Sequence, residues 1–488
     1  MDTADVVVVG SGAGGGAAAY ALTRAGARVL LLERGPHYAA KDFFHDELAV
    51  CRRNFFVPKE PRMVARDGKP AERSAETWIA TCVGGGTVHM SGYFFRMERQ
   101  DLAGWPLRFE ELERYYDAVE RIIGVSGTPR MPPILAHPAA ALVEGACRKA
   151  GLAPFPIPRA IISEEFLGRQ ACTYCGFCGS YGCEVGAKSS SLATFLALAE
   201  RTGKLSLRPR CQATKVGKGE VTYVDADGRE RRARGRSIVL ACSAIETARL
   251  LLVSGLGGPS VGKNLMFATL ASGHARFARP SPHWPQAAER LPFIDRAVAQ
   301  PEGVILFQRP HVNPIFQTEK LAWNRGGPPA FGAELKKRMR EFFHQTHTIE
   351  WESFSAFRPH AGCDVTLDPS VKDTLGMPVA RVRIGVHEES LRASDRLAAS
   401  AREVMAAAGA LRQGETTDDR VYPVLQCGTA RMGEVVDEAC ELKQTKGVFV
   451  ADSSTFPSSG RAPFTMTIMA NALRVGERIG GRLKRGEL

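Results

Sequence analysis

Asp5-Val6-Val7-Val8-Val9-Gly10-Ser11-Gly12-Ala13-Gly14-Gly15 opens the chain, and its reading decides the fold. The valine run is β-branched throughout and long enough for one strand buried on both faces. A glycine turn follows at once, and beyond it Ala17, Ala18, Ala19, Ala21 and Leu22 fall in a helical pattern. A turn at Ala25-Gly26 leads to a second apolar run, Val29-Leu30-Leu31-Leu32, which ends on Glu33. Strand, glycine turn, helix, strand and acid in this order form a βαβ dinucleotide-binding unit. Gly10 allows the tight turn, Gly12 lets backbone N–H groups approach a pyrophosphate, and Gly15 lets helix pack on strand. The helix N-terminus offers its positive end to phosphate, and Glu33 stands where a carboxylate accepts hydrogen bonds from a ribose diol.

A chain of 488 residues exceeds one compact core, so two closely packed domains are expected around this unit. Apolar residues make up 44% and charged residues 24%, ordinary for a water-soluble globular protein, and the longest apolar runs have strand length. No membrane span is predicted. Met1 leads into the first strand within a few residues, so the expected location is the cytoplasm, unless a leader is trimmed or a partner carries one. The net charge is +12, and part of the excess lies in Arg229-Glu230-Arg231-Arg232-Ala233-Arg234-Gly235-Arg236. This run follows a hairpin turn signal, Asp225-Ala226-Asp227-Gly228, and reads as a solvated edge strand guarded by charge. No aromatic residues interleave with its arginines to stack on bases, so nucleic acid is not an expected partner.

Further along, Pro36 to Ala80 is an irregular stretch with Phe43, Phe44, Phe55 and Phe56 among charges, the pattern of a lid or binding loop. A second glycine turn stands in Trp78-Ile79-Ala80-Thr81-Cys82-Val83-Gly84-Gly85-Gly86-Thr87-Val88-His89. The spacing of Leu112, Tyr115, Tyr116, Val119 and Ile122 predicts an amphipathic helix over Phe109 to Ile123. A second helix, Ala139 to Ala150, starts after Pro138, and a proline-rich joint follows at Pro154 to Pro158. Helix is predicted at Leu192 to Arg201, strands over Leu205 to Val224, and strand, turn and helix over Ile238 to Gly255. Residues 273 to 385 read as strands with little helix, suited to a separate sheet facing the nucleotide. Helices at Leu391 to Gly409 and Thr467 to Leu483 complete the chain. The expected organisation is an α/β nucleotide domain in three segments, 1–135 (with the lid at 36–80), 191–272 and 415–488. A cysteine-rich insert occupies 136–190, and an α+β substrate domain with an antiparallel sheet occupies 273–414.

Cys172-x2-Cys175-x2-Cys178-x4-Cys183 makes a chemical claim of its own. Three thiolates at two-residue gaps wrap one metal centre and a fourth completes the set, close to the spacing of bacterial ferredoxins although no proline follows. Gly176, Gly179, Gly182 and Gly186 let the backbone curl around such a centre. An iron–sulfur cluster, of three or four irons, is the first expectation. A structural zinc site and a metal-free loop stand as alternatives, and disulfides fit poorly in a cytoplasmic chain.

As a set, these motifs resemble the glucose–methanol–choline (GMC) FAD-dependent oxidoreductases, from about residue 5 to residue 483. The opening fingerprint resembles the family's site for the ADP half of FAD. Gly84-Gly85-Gly86-Thr87 resembles the loop against the isoalloxazine and pyrophosphate. Ala241-Cys242-Ser243-Ala244-Ile245-Glu246-Thr247-Ala248-Arg249-Leu250-Leu251 is similar to the second family signature. Gly428-Thr429-Ala430-Arg431-Met432-Gly433 and Val450-Ala451-Asp452-Ser453-Ser454 resemble the C-terminal return, whose Asp contacts flavin pyrophosphate or ribityl groups. The resemblance implies FAD held by Gly10, Gly12, Gly15, Glu33, Gly84, Gly85, Gly86, Thr87, His89, Ala451, Asp452 and Thr465. His89 stands where some relatives bond the flavin covalently and others only approach it. Trp105-Pro106-Leu107, Tyr115-Tyr116, Val365-Thr366-Leu367-Asp368-Pro369 with Lys372-Asp373, and the cysteine-rich insert look most like large subunits of bacterial sugar and polyol (gluconate- and glucose-type) dehydrogenases. Such enzymes pass electrons from flavin through a cluster to an external acceptor, so a protein electron acceptor or small partner subunit is expected.

The chain departs from the family pattern at the C-terminus. The catalytic His that usually precedes the Gly-Thr motif is Leu425, followed by Gln426 and Cys427, and the usual Asn or His partner is Pro463, next to Phe464. Hydroxyl oxidation needs a proton acceptor. The candidates are Glu350, Glu352, His387 and Gln426, with His344, His347 and His360 behind them. Thr348-Ile349-Glu350-Trp351-Glu352 is strand-like and sets the two carboxylates on one face. Two other readings need no hydroxyl base. One is desaturation or double-bond reduction of an apolar substrate, and the other is a non-catalytic flavin electron-transfer subunit.

Overall fold

Val6–Val9 is the central strand of a five-stranded parallel sheet. Across the sheet the order is Val448–Val450, Ser237–Leu240, Val6–Val9, Val29–Leu32 and Leu205–Arg208. The computed structural model describes residues 1–52, 62–74, 79–310, 313–322, 328–415 and 421–488; Phe55, Phe56 and Trp78 fall outside the described residues. The inner strands are buried along their whole length, which is why their sequences are continuous rather than alternating apolar runs. Gly10 takes φ +96°, and a Cβ there would stand 2.3 Å from the carbonyl oxygen of Ala241. One at Gly14 would stand 1.9 Å from the carbonyl oxygen of Ala451, so backbone meets backbone with no room for a side chain. Helix Ala13–Arg24 follows, and the long helix Thr465–Lys484 lies against it. Gly476 and Gly480 of the latter face Ala21 and Ala25, where a methyl group would reach within 2.7 and 2.5 Å.

The second large sheet is antiparallel and seven-stranded. Arg412–Glu415, Met266–Ala278, Thr346–Ala356, Gly303–Gln308, Arg296–Gln300 and Pro154–Pro156 run in that order, and Val421–Cys427 also pairs with Met266–Ala278. Side chains alternate across it. Ile305, Phe307, Ile349 and Trp351 pack under helices Ala139–Lys149 and Glu388–Ala407 with Val143, Leu397 and Val404. Glu350, Glu352 and Phe354 take the opposite face. The antiparallel sheet is therefore as expected, but it recruits strands from outside 273–385. The proline-rich joint supplies its edge strand, a position that does not need the N–H a proline lacks. Two helices, Pro314–Ala322 and Gly332–Arg340, occur in the stretch read as nearly helix-free.

The arginine run forms strand Glu230–Arg234, hairpinned to Glu220–Val224 as expected, with Arg231 and Arg234 paired to Asp225 and Glu220 at 2.9 Å. It is not the sheet edge, because Asp2–Thr3 adds in parallel outside it. The helix Phe109–Ile123 has the expected bounds, with Ile123 rather than Ile122 fully buried. Among the described residues no helix is long and apolar enough to cross a membrane.

Candidate functional site

A cavity of about 450 Å³ opens between the two sheets, walled by both glycine turns, the Asp452 turn and the carboxylate face of the antiparallel sheet. Ser11 joins the two turns. Its N–H and Oγ donate to Glu33 Oε2 at 3.0 and 2.6 Å, and its Oγ accepts from the N–H of Gly84 at 3.0 Å. Thr87 Oγ1 donates to the Gly84 carbonyl at 2.6 Å and accepts from the N–H of Ser191 at 2.8 Å, which locks the second turn. Gly10, Gly12, Glu33, Gly85, Gly86, Thr87, His89, Asp452 and Thr465 reach the cavity wall. Gly15, Gly84 and Ala451 do not; they hold the turns from behind.

The wall fits FAD by a test internal to the structure. A Cβ placed on Gly86 meets no atom within 4 Å, and one on Gly12 meets none nearer than 3.9 Å, so both turns present bare backbone to open space. Backbone N–H groups beside a helix N-terminus are the chemistry a pyrophosphate requires. Glu33 also accepts from the N–H of Gly35 at 2.8 Å, which with Ser11 engages three of its roughly four acceptor positions and leaves capacity for one more donor. Asp452 accepts from the N–H groups of Ser243 and Ser454 at 3.0 and 2.9 Å, from Thr247 Oγ1 at 2.6 Å, and from Ser454 Oγ. Its principal work is thus to brace the Ser243 and Ser454 turns, although burial still pushes its carboxyl upward against these donors. His89 is half-buried on the wall, and loss of solvent around its ring, then the charge of Lys188, push its imidazole down to about 4, so it is neutral near pH 7. Beside the adenine-side turn, burial pushes the Glu246 carboxyl up, but Arg62, Arg34 and Arg249 outweigh it and hold it down to about 2.

At the far end Leu425, Pro463 and Phe464 form an apolar wall with Val424 and Phe354. Gln426 is there too, but its amide donates to the Pro423 carbonyl at 2.9 Å and accepts from Ser243 Oγ at 3.4 Å, and an amide takes no proton at neutral pH. Among the described residues, one titratable group faces this wall from the antiparallel sheet: Glu352. Burial, then the like charge of Glu350, push its carboxyl up to about 7, against Lys320, a hydrogen bond from Gln308, and Arg159. Tyr93 Oη donates to Gln308 Oε1, so the Gln308 amide is turned with its NH₂ toward Glu352. The Tyr93 ring is stacked under the Arg159 guanidinium at 4.8 Å, which is itself paired with buried Asp295 at 2.5 and 2.6 Å. The carboxylate is thereby positioned by a chain of four side chains.

The remaining base candidates are separated from the cavity. Glu350 lies next to Glu352 but behind the wall, bound to Lys320 at 3.3 Å. His387 caps helix Glu388–Ala407, its Nδ1 accepting from the N–H of Glu389 at 3.2 Å. His347 stacks on Trp284 at 4.6 Å on the opposite face of the sheet, His344 is exposed, and His360 Nδ1 accepts from the N–H of Gly362 at 2.9 Å. Sequence reasoning missed Tyr93, Gln308 and Arg159, which come from three distant stretches and carry no shared motif. The only local trace is the alternation that puts Gln308 opposite Glu350.

The cysteine loop does not assemble as expected. Cys172, Cys175, Cys178 and Cys183 are free thiols, and among the described residues no group of three or more His, Cys, Asp or Glu is placed to hold a metal. Cys172 Sγ accepts from the N–H of Tyr174 at 3.4 Å and Cys183 Sγ from the N–H of Lys188 at 3.5 Å. Burial, then the nearby thiols, push the Cys172 thiol up to about 12; burial pushes Cys178 up to about 11 against Lys188 and Arg159. The loop is organised instead by Lys188, fully enclosed, whose Nζ donates to the carbonyls of Val88 at 3.1 Å, Tyr181 at 2.8 Å and Cys178. With Ser180 N–H donating to the His89 carbonyl at 2.7 Å, this fastens the cysteine loop to the second glycine turn. Nothing in this arrangement supports the iron–sulfur or the zinc reading.

Family models of the GMC oxidoreductases match residues 5–269 and 359–472. Paromamine 6'-oxidase of Streptomyces fradiae is 30% identical over 98% of this chain and 92% of its own length. The gluconate 2-dehydrogenase flavoprotein of Pantoea cypripedii is 25% identical over 93% of this chain and 89% of its own. Among solved structures, a formate oxidase of Aspergillus oryzae superposes with a TM-score of 0.64 over 99% of both chains at 14% identity, a likeness of fold.

Proposed function

The chain belongs to the GMC oxidoreductase family, an FAD-dependent enzyme acting on CH–OH groups, and we propose that its substrate is a small sugar or polyol whose hydroxyl proton is taken by Glu352. One observation carries the reading: where the family's His is replaced by Leu425, Glu352 reaches the same cavity from the other sheet with a carboxyl poised near pH 7. A base of that affinity is half ionised at working pH and a competent acceptor of a hydroxyl proton.

FAD, held by the residues of the glycine turns, supplies the hydride acceptor when bound. Glu352 then holds the proton on its carboxyl, and Gln308 and Tyr93 keep the carboxyl aimed into the cavity. Leu425, Pro463 and Phe464 exclude water from the reacting end, which strengthens the pull of a charged base on a polar substrate. The same apolar wall is the observation that favours a second reading, redox chemistry at a C–C bond of an apolar substrate. Electrons leave, in this proposal, to a protein acceptor or partner subunit; the gluconate 2-dehydrogenase relative is itself the flavoprotein of its enzyme. No step is assigned to the cysteine loop.

Anaerobic mixing of the holoprotein with a panel of polyols, sugars, amino sugars and apolar alkenes tests the substrate class. Bleaching of the flavin by members of the hydroxylated set is the expected result. Bleaching by alkenes alone would replace it with the second reading.

A further inference from the structure

We propose that Glu350 is the residue through which the proton collected by Glu352 leaves for solvent, so that the antiparallel sheet carries a proton exit running from the cavity to Lys320. This rests on the reading of Glu352 as the base. A base set against a bound substrate has to lose its proton before the next turnover, and on the cavity side it would meet the substrate and the apolar residues Leu425, Pro463 and Phe464.

The geometry offers a direction along the sheet. In the register of the sheet, Glu352 lies between Ser272 and Leu306, and Glu350 lies between His274 and Gln308. The two glutamates are two residues apart on one strand, so they share a face with their backbones about 6.6–6.8 Å apart, near enough for their flexible side chains to meet directly or through water. Glu352 reaches the cavity wall and Glu350 does not. Exposure then rises outward: the Glu350 side chain is 13% exposed and that of Lys320, bound to it at 3.3 Å, is 35% exposed. Among the described residues, the groups facing Glu350 are Glu352 on its own strand, His274 and Arg276 on Met266–Ala278, Gln308 on Gly303–Gln308 and Lys320 on Pro314–Ala322. His274, pushed down to about 4 by burial and then by Arg276, is neutral and does not compete as an acceptor.

In the proposed step the Glu352 O–H bond breaks and an O–H bond forms on Glu350, directly or through one water. Glu352 returns to its carboxylate, and the proton passes from Glu350 to bulk water beside Lys320. No electrons move, and each turnover releases one proton along this route.

The test compares the first turnover with continuous turnover in the holoenzyme, using a substrate found in the panel and an artificial electron acceptor at pH 8. Glu350→Gln also removes the like charge that raises the Glu352 carboxyl, so it touches the first anaerobic flavin reduction, but it is expected to lower kcat at least about tenfold more than it lowers that first reduction. Added formate or imidazole should restore kcat in proportion to concentration, and Glu350→His, which keeps a proton carrier, should lose less than Glu350→Gln. A wild-type kcat for Glu350→Gln, or a loss that neither small acid nor Glu350→His relieves, would overturn the exit. Failure of the underlying reading looks different: Glu352→Gln would then leave the first flavin reduction itself unchanged.

Discussion

Replacing Glu352 by Gln removes the proposed proton acceptor while keeping the side chain's size, and the Gln308 amide retains an oxygen to donate to. General-base catalysis is typically worth 10²–10⁴-fold, so flavin reduction by the best substrate should slow by about two to four decades, or about 3–5 kcal/mol of barrier. Folding should not suffer. The Glu352 carboxyl lies near 7 in the folded protein against an ordinary 4.5, so between those pH values the unfolded chain has released a proton that the folded protein retains. The unfolded state binds fewer protons there, and the wild-type protein loses stability as pH rises from 4.5 through 7. The variant lacks that slope and should melt no lower than wild type, with its advantage growing across the window. The assay is anaerobic stopped-flow absorbance of the flavin, paired with thermal melts of both proteins at acid and alkaline pH. A variant that melts normally, retains FAD and reduces it within about threefold of the wild-type rate would refute the assignment of Glu352 as base.

Other consequences are equally direct. Gln308→Leu removes a hydrogen bond that favours the ionised form of Glu352, worth about 0.5–1.5 kcal/mol; the pH dependence of flavin reduction should move to higher pH and the rate at pH 7 fall severalfold, and an unmoved profile would dissociate Gln308 from the base. Gly86→Ala sets a methyl group in open cavity space with no protein atom within 4 Å, so the apoprotein's Tm should hold while FAD retention on gel filtration drops. Gly14→Ala is the contrast: its Cβ would lie 1.9 Å from the Ala451 carbonyl oxygen, and the folded yield itself should fall. Metal analysis of anaerobically purified holoprotein should give flavin absorbance with iron well below one equivalent, and stoichiometric iron with acid-labile sulfide would restore the cluster reading of Cys172, Cys175, Cys178 and Cys183.

Much of the nucleotide site was legible because its determinants are local. Val6–Val9, the turn at Gly10 and Gly12, and the run ending at Glu33 fall within one stretch and obey steric rules that the chain cannot evade. Strand alternation likewise placed Glu350 and Glu352 together. It did not say which of them reaches the cavity, since that depends on how the antiparallel sheet leans over the parallel one. Tyr93, Gln308 and Arg159 were invisible because their roles exist only through contacts between distant segments. The cysteine spacing is a weaker guide for a related reason. Ligand spacing is a necessary pattern, but the loop's course is set by Lys188 and three backbone carbonyls, an interaction that leaves no periodic mark. The edge strand at Pro154–Pro156 was read as a joint because proline usually interrupts pairing, and at an outer edge it does not.

The most direct test of Glu352 as the base of a hydroxyl-oxidising flavoenzyme is the pH dependence of the first anaerobic flavin reduction in the unmodified holoenzyme at saturating substrate. The rate should rise with pH along a single ionisation near 7 and level off above it, as the Glu352 carboxyl gives up its proton. A rate that is flat from pH 5 to 9, or that falls as pH rises through 7, would contradict it.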